Sequence, residues 1–197
     1  MGNRVEIWLV EHDGKEISEV IVLWAHRLGE GLAEGFEGFV EFAVNHVSPI
    51  TFHKLGDART IASLLILWDY GFTHVLIDEI VSREQHDEKM KKLARAMFSL
   101  PDIRPRGFMR DVDYYVYRMD IYSYEQHGKE TYRKIIWDFK MYHSLIINWN
   151  PDPCVHPIVD FKRYKWRDEE LLFRAKVYFI MKNDEISHNI EKILDEI

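Results

Sequence analysis

One α/β domain, with a mainly parallel central sheet, an antiparallel C-terminal portion and flanking helices, is the fold this sequence predicts, on three observations. Segment 49–80 reads as strand, helix and strand in succession, the order of a βαβ unit with a parallel pair. Val75, Leu76 and Ile77 form a continuous apolar run of the kind that suits a central strand covered on both faces. Beyond Pro101 the character changes: "VDYYVYRMDIYSYEQ" is aromatic and alternating, as in antiparallel strands.

Each element follows from local pattern. "RVEIWLVEH" and "EVIVLWAH" are β-branched and aromatic runs around "DGKEIS", where Asp13-Gly14 signals a turn, so two strands open the chain. In "LAEGFEGFVEFAVNHV" the residues Leu32, Phe36, Phe39, Val40, Ala43, Val44 and Val47 recur at three-four spacing, which predicts an amphipathic helix despite Gly35 and Gly38. "PITFHKL" reads as a strand, and "DARTIASLLILWDYG" as a helix capped by Asp57 and stopped by Gly71. "GFTHVLIDEI" then returns as the second parallel strand, ending in the adjacent carboxylates Asp78 and Glu79. "REQHDEKMKKLARAMFSL" predicts a solvated helix, and "RDEELLFRAKVYFIMK" and "DEISHNIEKILDEI" two closing helices after a loop over 148–157. No internal repeat or low-complexity segment interrupts this order.

The chain has 197 residues, enough for one sizeable core, with an ordinary hydrophobic fraction of 47%. A formal net charge of -7 argues against a general nucleic-acid binder, which needs a basic surface, though it leaves room for a local basic stripe. Cys154 is the only cysteine, so no intrachain disulfide forms and a reducing compartment is expected. With no run of apolar residues long enough to cross a bilayer and no cleavage region near the start, the expected location is cytoplasmic.

An apolar strand followed by Asp-Glu is also the Walker B pattern of P-loop ATPases. That reading requires G-x-x-x-x-G-K-[ST], and the nearest stretch, "SYEQHGKET", has Ser123 for the first glycine and Glu130 for the final hydroxyl. It also follows the acidic run instead of preceding it. The ATPase is excluded.

"GDARTIASLLILWDYGFTHVLIDEI" resembles the central segment of GT-A-fold glycosyltransferases of the family-2 type, and "RDEELLFRAK" resembles the acidic helix start of the same enzymes. "YRKIIW" followed by "DPCVHPIVDF" is a weaker likeness. The resemblance covers roughly residues 55–181 as short motifs, and extends to a viral GT-A protein, whose compartment would be the host cytoplasm. It implies a single GT-A-like (Rossmann-like) domain over 1–197, with a nucleotide-sugar-binding half (1–100) and an acceptor-binding half (101–197). It also implies a metal-assisted, inverting transfer of a sugar from a nucleotide diphosphate to a hydroxyl acceptor on a glycan, protein or lipid.

In that resemblance Asp78, with Glu79 and His156, holds Mn²⁺ or Mg²⁺ against the diphosphate, a hard-oxygen role. Asp57 and Arg59 approach the nucleotide, and Asp168 is the general base for the acceptor. The pattern departs from the family's D-x-D because Leu76 and Ile80 flank the pair where a second carboxylate belongs, and because adjacent strand residues face opposite ways. Without catalysis, a nucleotide- or glycan-binding module of the same fold is the alternative.

Overall fold

The computed structural model describes residues 5–25, 28–83, 104–105, 115–127, 132–143, 156–163, 166 and 170–195, with backbone alone for 72–83 and 104–105. Strands β1 (Val5–Asp13) and β2 (Glu16–Ala25) form a hairpin. Helices α1 (Gly31–Glu34) and α2 (Phe36–Asn45), a 3-10 helix (Pro49–Gly56) and α3 (Ala58–Arg83) follow. Then come β3 (Arg104–Pro105), β4 (Tyr115–Gln126), β5 (Tyr132–His143), α4 (Pro157–Arg163), β6 (Leu171–Lys182) and β7 (Glu185–Asp195).

The seven strands of the described residues lie in one sheet of order β3-β2-β1-β4-β5-β6-β7. Among the described residues β1–β4 is its single parallel pairing; every other neighbour is antiparallel. The expected Rossmann-like, mainly parallel sheet is therefore overturned. Residues 71–80, read as the second parallel strand, continue α3, and 49–55 is a 3-10 helix. The two closing helices are instead the β6–β7 hairpin.

The physical reasons are local. Ser48 opens the 3-10 helix with a capping box: Thr51 Oγ1 accepts from the Ser48 amide at 2.8 Å while the Ser48 hydroxyl accepts from the Thr51 amide at 3.4 Å, with Pro49 at the first turn. With 49–55 in a 3-10 helix, the parallel partner expected for 71–80 is missing, and the segment continues α3. At the last hairpin Asn183 (φ 52°) and Asp184 (φ 59°) both take positive φ, the two-residue turn whose twist matches paired strands.

Alternation in the pleat sorts side chains to two faces. The inner face carries Val5, Ile7, Leu9, Tyr117, Met119, Ile121, Trp137, Phe139, Val177 and Phe179, and it packs on Phe36, Phe39, Val40, Phe52, Leu55, Ile61 and Leu65 from the helical layer. Trp137 Nε1 donates to the Leu55 carbonyl at 2.7 Å, so the buried indole is satisfied while joining sheet to 3-10 helix. Gly35 lies between α1 and α2 because a Cβ there would meet the Gly31 carbonyl and the Trp68 ring at 3.0 Å. The outer face holds a smaller cluster, Trp8, Val10, Val20, Val22 and Val116 under Phe161 of α4, with Ile158 and Trp166 beside it.

Candidate functional site

Past the patch that α4 covers, the outer face of β4, β5 and β6 is polar, and strand register arranges it in rows. Arg118, Lys140 and Arg174 stand opposite one another on three consecutive strands. The next row is Asp120, Asp138, Lys176 and Glu191, then His12, Tyr122, Ile136, Tyr178 and Asn189, then Tyr124, Lys134 and Ile180.

Like charges directly opposite on a sheet repel, so a row of three cations stands only because carboxylates of the next row compensate it. Asp120, fully buried, accepts from His12 Nε2 at 2.8 Å, from an Arg118 terminal nitrogen at 2.8 Å and from Lys140 Nζ at 3.3 Å. Asp138 accepts two parallel bonds from Arg174 at 3.0 Å each and pairs with Lys140 at 3.1 Å. The Arg118 guanidinium also lies over the rings of Phe161 (4.7 Å) and Trp166 (4.9 Å), which ties the ionic row to the covered patch. Burial alone would raise the Asp120 carboxyl, but the His12 hydrogen bond and the charges of Arg118 and Lys140 outweigh it and hold it at about 2. In this half of the face the cations and carboxylates pair with one another across the three strands.

The other half is open. Tyr124 is 53% exposed, and Tyr178, Lys134 and Lys176 are half-buried. Lys134 Nζ sits 5.0 Å over the Tyr178 ring, and the Tyr178 hydroxyl donates to Glu191 at 3.2 Å. Tyr122 stacks on His12 with ring centroids 4.4 Å apart; burial first, then the charges of Asp120 and Asp138, push its phenol up to about 12, so it stays neutral. An open cleft of ≈ 600 Å³ adjoins these rows, lined by Tyr124, Tyr132, Lys134 and Ile136 among others.

The residues read from the motifs lie on α3 or just before it, before α4, or outside the described residues. Asp78 and Glu79 belong to α3, not to the end of a strand, and their side chains lie outside the described residues, as does Asp168. His156 precedes α4, where its Nδ1 accepts from the Ile158 amide at 3.3 Å and its carbonyl from the Val159 amide at 2.9 Å, so it caps that helix. Helix α4 packs on the outer face, whereas the residues of α3 that reach the core pack on the inner face.

Asp57 and Arg59 do meet, at the start of α3. Asp57 Oδ1 accepts from the Arg59 amide at 2.9 Å and the Thr60 amide at 3.4 Å, and Glu11 accepts from the Ala58 amide at 3.0 Å. Arg59 Nε donates to Glu19 at 2.8 Å. Burial would raise the Asp57 carboxyl, but the amide bonds of Arg59 and Thr60 prevail and hold it below its usual range. Glu11, Glu19 and Asp57 each bring an oxygen within 4.8 Å of the others, the donor type Mn²⁺ or Mg²⁺ takes. All three are already engaged by helix amides or a guanidinium, and a capped helix start accounts for them.

The outer-face rows are not evident from the sequence while 167–182 reads as a helix, because they form only when β6 is a strand beside β5. The signal was present: Phe173, Ala175, Val177 and Phe179 alternate with Arg174, Lys176 and Tyr178.

Comparison with protein-family models, with curated proteins and with solved structures returned no match. The likeness to glycosyltransferases thus rests on its short motifs alone.

Proposed function

We propose that the protein is a binding module which holds a ring-bearing, anionic ligand of the nucleotide class on the open half of its outer sheet face. The observation that carries this reading is the grouping of Tyr124, Tyr178, Lys134 and Lys176 on three adjacent strands, each with part of its side chain in solvent. Tyrosines offer flat apolar rings with a polar tip, and lysines offer charge to phosphate, so the two types together suit a ligand with both features. The ion network in the adjacent rows cross-links the same three strands, which lowers the ordering cost of binding.

Isothermal titration with nucleoside mono- and diphosphates, nucleotide sugars and phosphorylated glycans tests the reading. At least one nucleotide should bind, and the double variant Lys134→Gln/Lys176→Gln should weaken it by roughly tenfold or more while the melting point stays put. Equal binding by that variant would move the ligand elsewhere. A nucleotide sugar with Mn²⁺ belongs in the same panel, because release of free diphosphate would replace a binding role with the transferase activity that the motifs around Asp78 and Asp168 imply.

A further inference from the structure

We propose that His188 and Glu41 form a pH-sensitive latch that holds the edge strand β7 against α2, closed when the imidazole is protonated and loosened when it is neutral. The latch is independent of any ligand on the outer face.

Among the described residues β7 ends the sheet and pairs with β6 alone, and none of its eleven residues is buried. Ile186 and Ile190 pack on the core only in part. Edge elements of this kind open locally at low cost, so a tie of modest strength changes how often they open. When β7 opens, the backbone groups of β6 that pair with it are bared, and the latch sets how often that edge is available to another strand.

Two ties reach from the inner face of β7 to one side of α2. His188 Nε2 lies 3.1 Å from Glu41 Oε1, and Lys192 Nζ lies 3.4 Å from Glu37 Oε1. Glu37 and Glu41 are separated by about 6 Å of helical rise, whereas His188 and Lys192 are about 13 Å apart along the strand. The long lysine side chain spans the difference.

The two ties differ in what pH does to them. Lys192 keeps its charge, because Asp195, 3.4 Å away, and then Glu37 push its ammonium above the usual lysine range. An imidazole ordinarily changes charge near about pH 6.5. Protonated, it gives the carboxylate a charged hydrogen bond; neutral, it gives at most an uncharged one. The tie therefore strengthens as pH falls toward the ordinary carboxylate range near about 4.3. The side chains that β6 presents beside His188 are apolar: Val177, Phe179 and Met181, with the Phe179 ring 6.3 Å from the imidazole. The 3-10 helix, which also touches β7, carries His53 and Lys54, and Lys54 pairs with Asp57 at 3.5 Å.

Hydrogen exchange followed by NMR tests the latch. Each amide rate is divided by its intrinsic value at that pH, and the amides joining β6 to β7 are compared with those of the β1–β2 hairpin. From about pH 8 to about pH 5.5 the protection of the β6–β7 amides should rise about 1.5- to 5-fold relative to the hairpin, the contribution of an exposed ion pair. His188→Gln and Glu41→Gln should each abolish the rise, and His188→Lys should hold the higher protection at both pH values. His53→Gln should leave the rise in place. Equal relative protection at the two pH values in the parent overturns the latch. So does a full rise retained in either His188→Gln or Glu41→Gln, or a rise that disappears with His53→Gln.

Discussion

Asp120 and Asp138 stand directly opposite each other on β4 and β5, and Lys140 lies between them, its ammonium 3.3 Å from one carboxylate and 3.1 Å from the other. Two buried like charges at adjacent register positions would ordinarily repel. Here the lysine, one pleat along the same strand as Asp138, turns the repulsion into a bridge that Arg118 and Arg174 extend on either side.

Lys140→Met should therefore be among the most damaging single changes on this face. Removing one partner from a buried ionic set leaves uncompensated charge and costs roughly 3 to 5 kcal/mol. For a chain of this size that is a drop in melting midpoint of about 6 to 20 °C by calorimetry. Adding Asp138→Asn should recover part of it, since a neutral amide no longer repels Asp120. A Lys140→Met variant that melts within a degree of the parent would show that the bridge contributes nothing.

Acid should unlock the same network. The folded Asp120 carboxyl titrates at about 2 against an ordinary 3.8. A depressed carboxyl contributes stability that is complete above its unfolded value and is lost as pH falls through the folded one. The contribution, roughly 2 to 3 kcal/mol at its fullest, should thus fade between about pH 4 and about pH 2. Asp57, also lowered, acts in the same sense at the start of α3. Carboxyl-carbon NMR of Asp120 reads this directly, and a midpoint at or above the ordinary value would mean that the cations do not reach it.

Gly71 separates the two accounts of residues 71–80. As a helix C-cap it would take positive φ, and alanine there would be strained. Inside α3 it has no such φ, and a Cβ would meet nothing within 4 Å, so Gly71→Ala should stabilise by about 0.5 to 1 kcal/mol. A rise in urea midpoint with unchanged slope is the expected result. A loss of stability would restore the helix stop at Gly71.

The parts of the fold that local chemistry dictates were legible in the sequence. The first hairpin, with Gly14 at φ 61° in its turn, the helical stripe through Phe36, Phe39 and Val40, and the Asp57 cap all stand where periodicity and capping rules put them. What failed were segments whose local preference yields to tertiary context. Val75, Leu76 and Ile77 favour a strand, yet that segment continues α3, and the 49–55 segment expected to pair with it is a 3-10 helix. β7 escaped notice because an edge strand buries little: its charged residues and the 186, 190, 194 spacing of Ile and Leu imitate a helix. The face built on β4 to β6 depended on β6 being a strand, so its rows could not be assembled without that step.

The parallel β1–β4 joint has a kinetic consequence. Hairpins β4–β5 and β6–β7 join neighbours in the chain, whereas Val5 of β1 meets Tyr115 of β4 from 110 positions away. Closing so long a loop costs entropy before any contact repays it, and non-local pairing of this kind slows folding to milliseconds or longer. Local hairpins are thereby favoured early and the central seam late. Until the seam closes, β4 presents an unpaired edge carrying Arg118, Asp120 and Tyr122, so the half of the sheet that bears the ionic rows is also the half most exposed to mispairing with another chain during refolding.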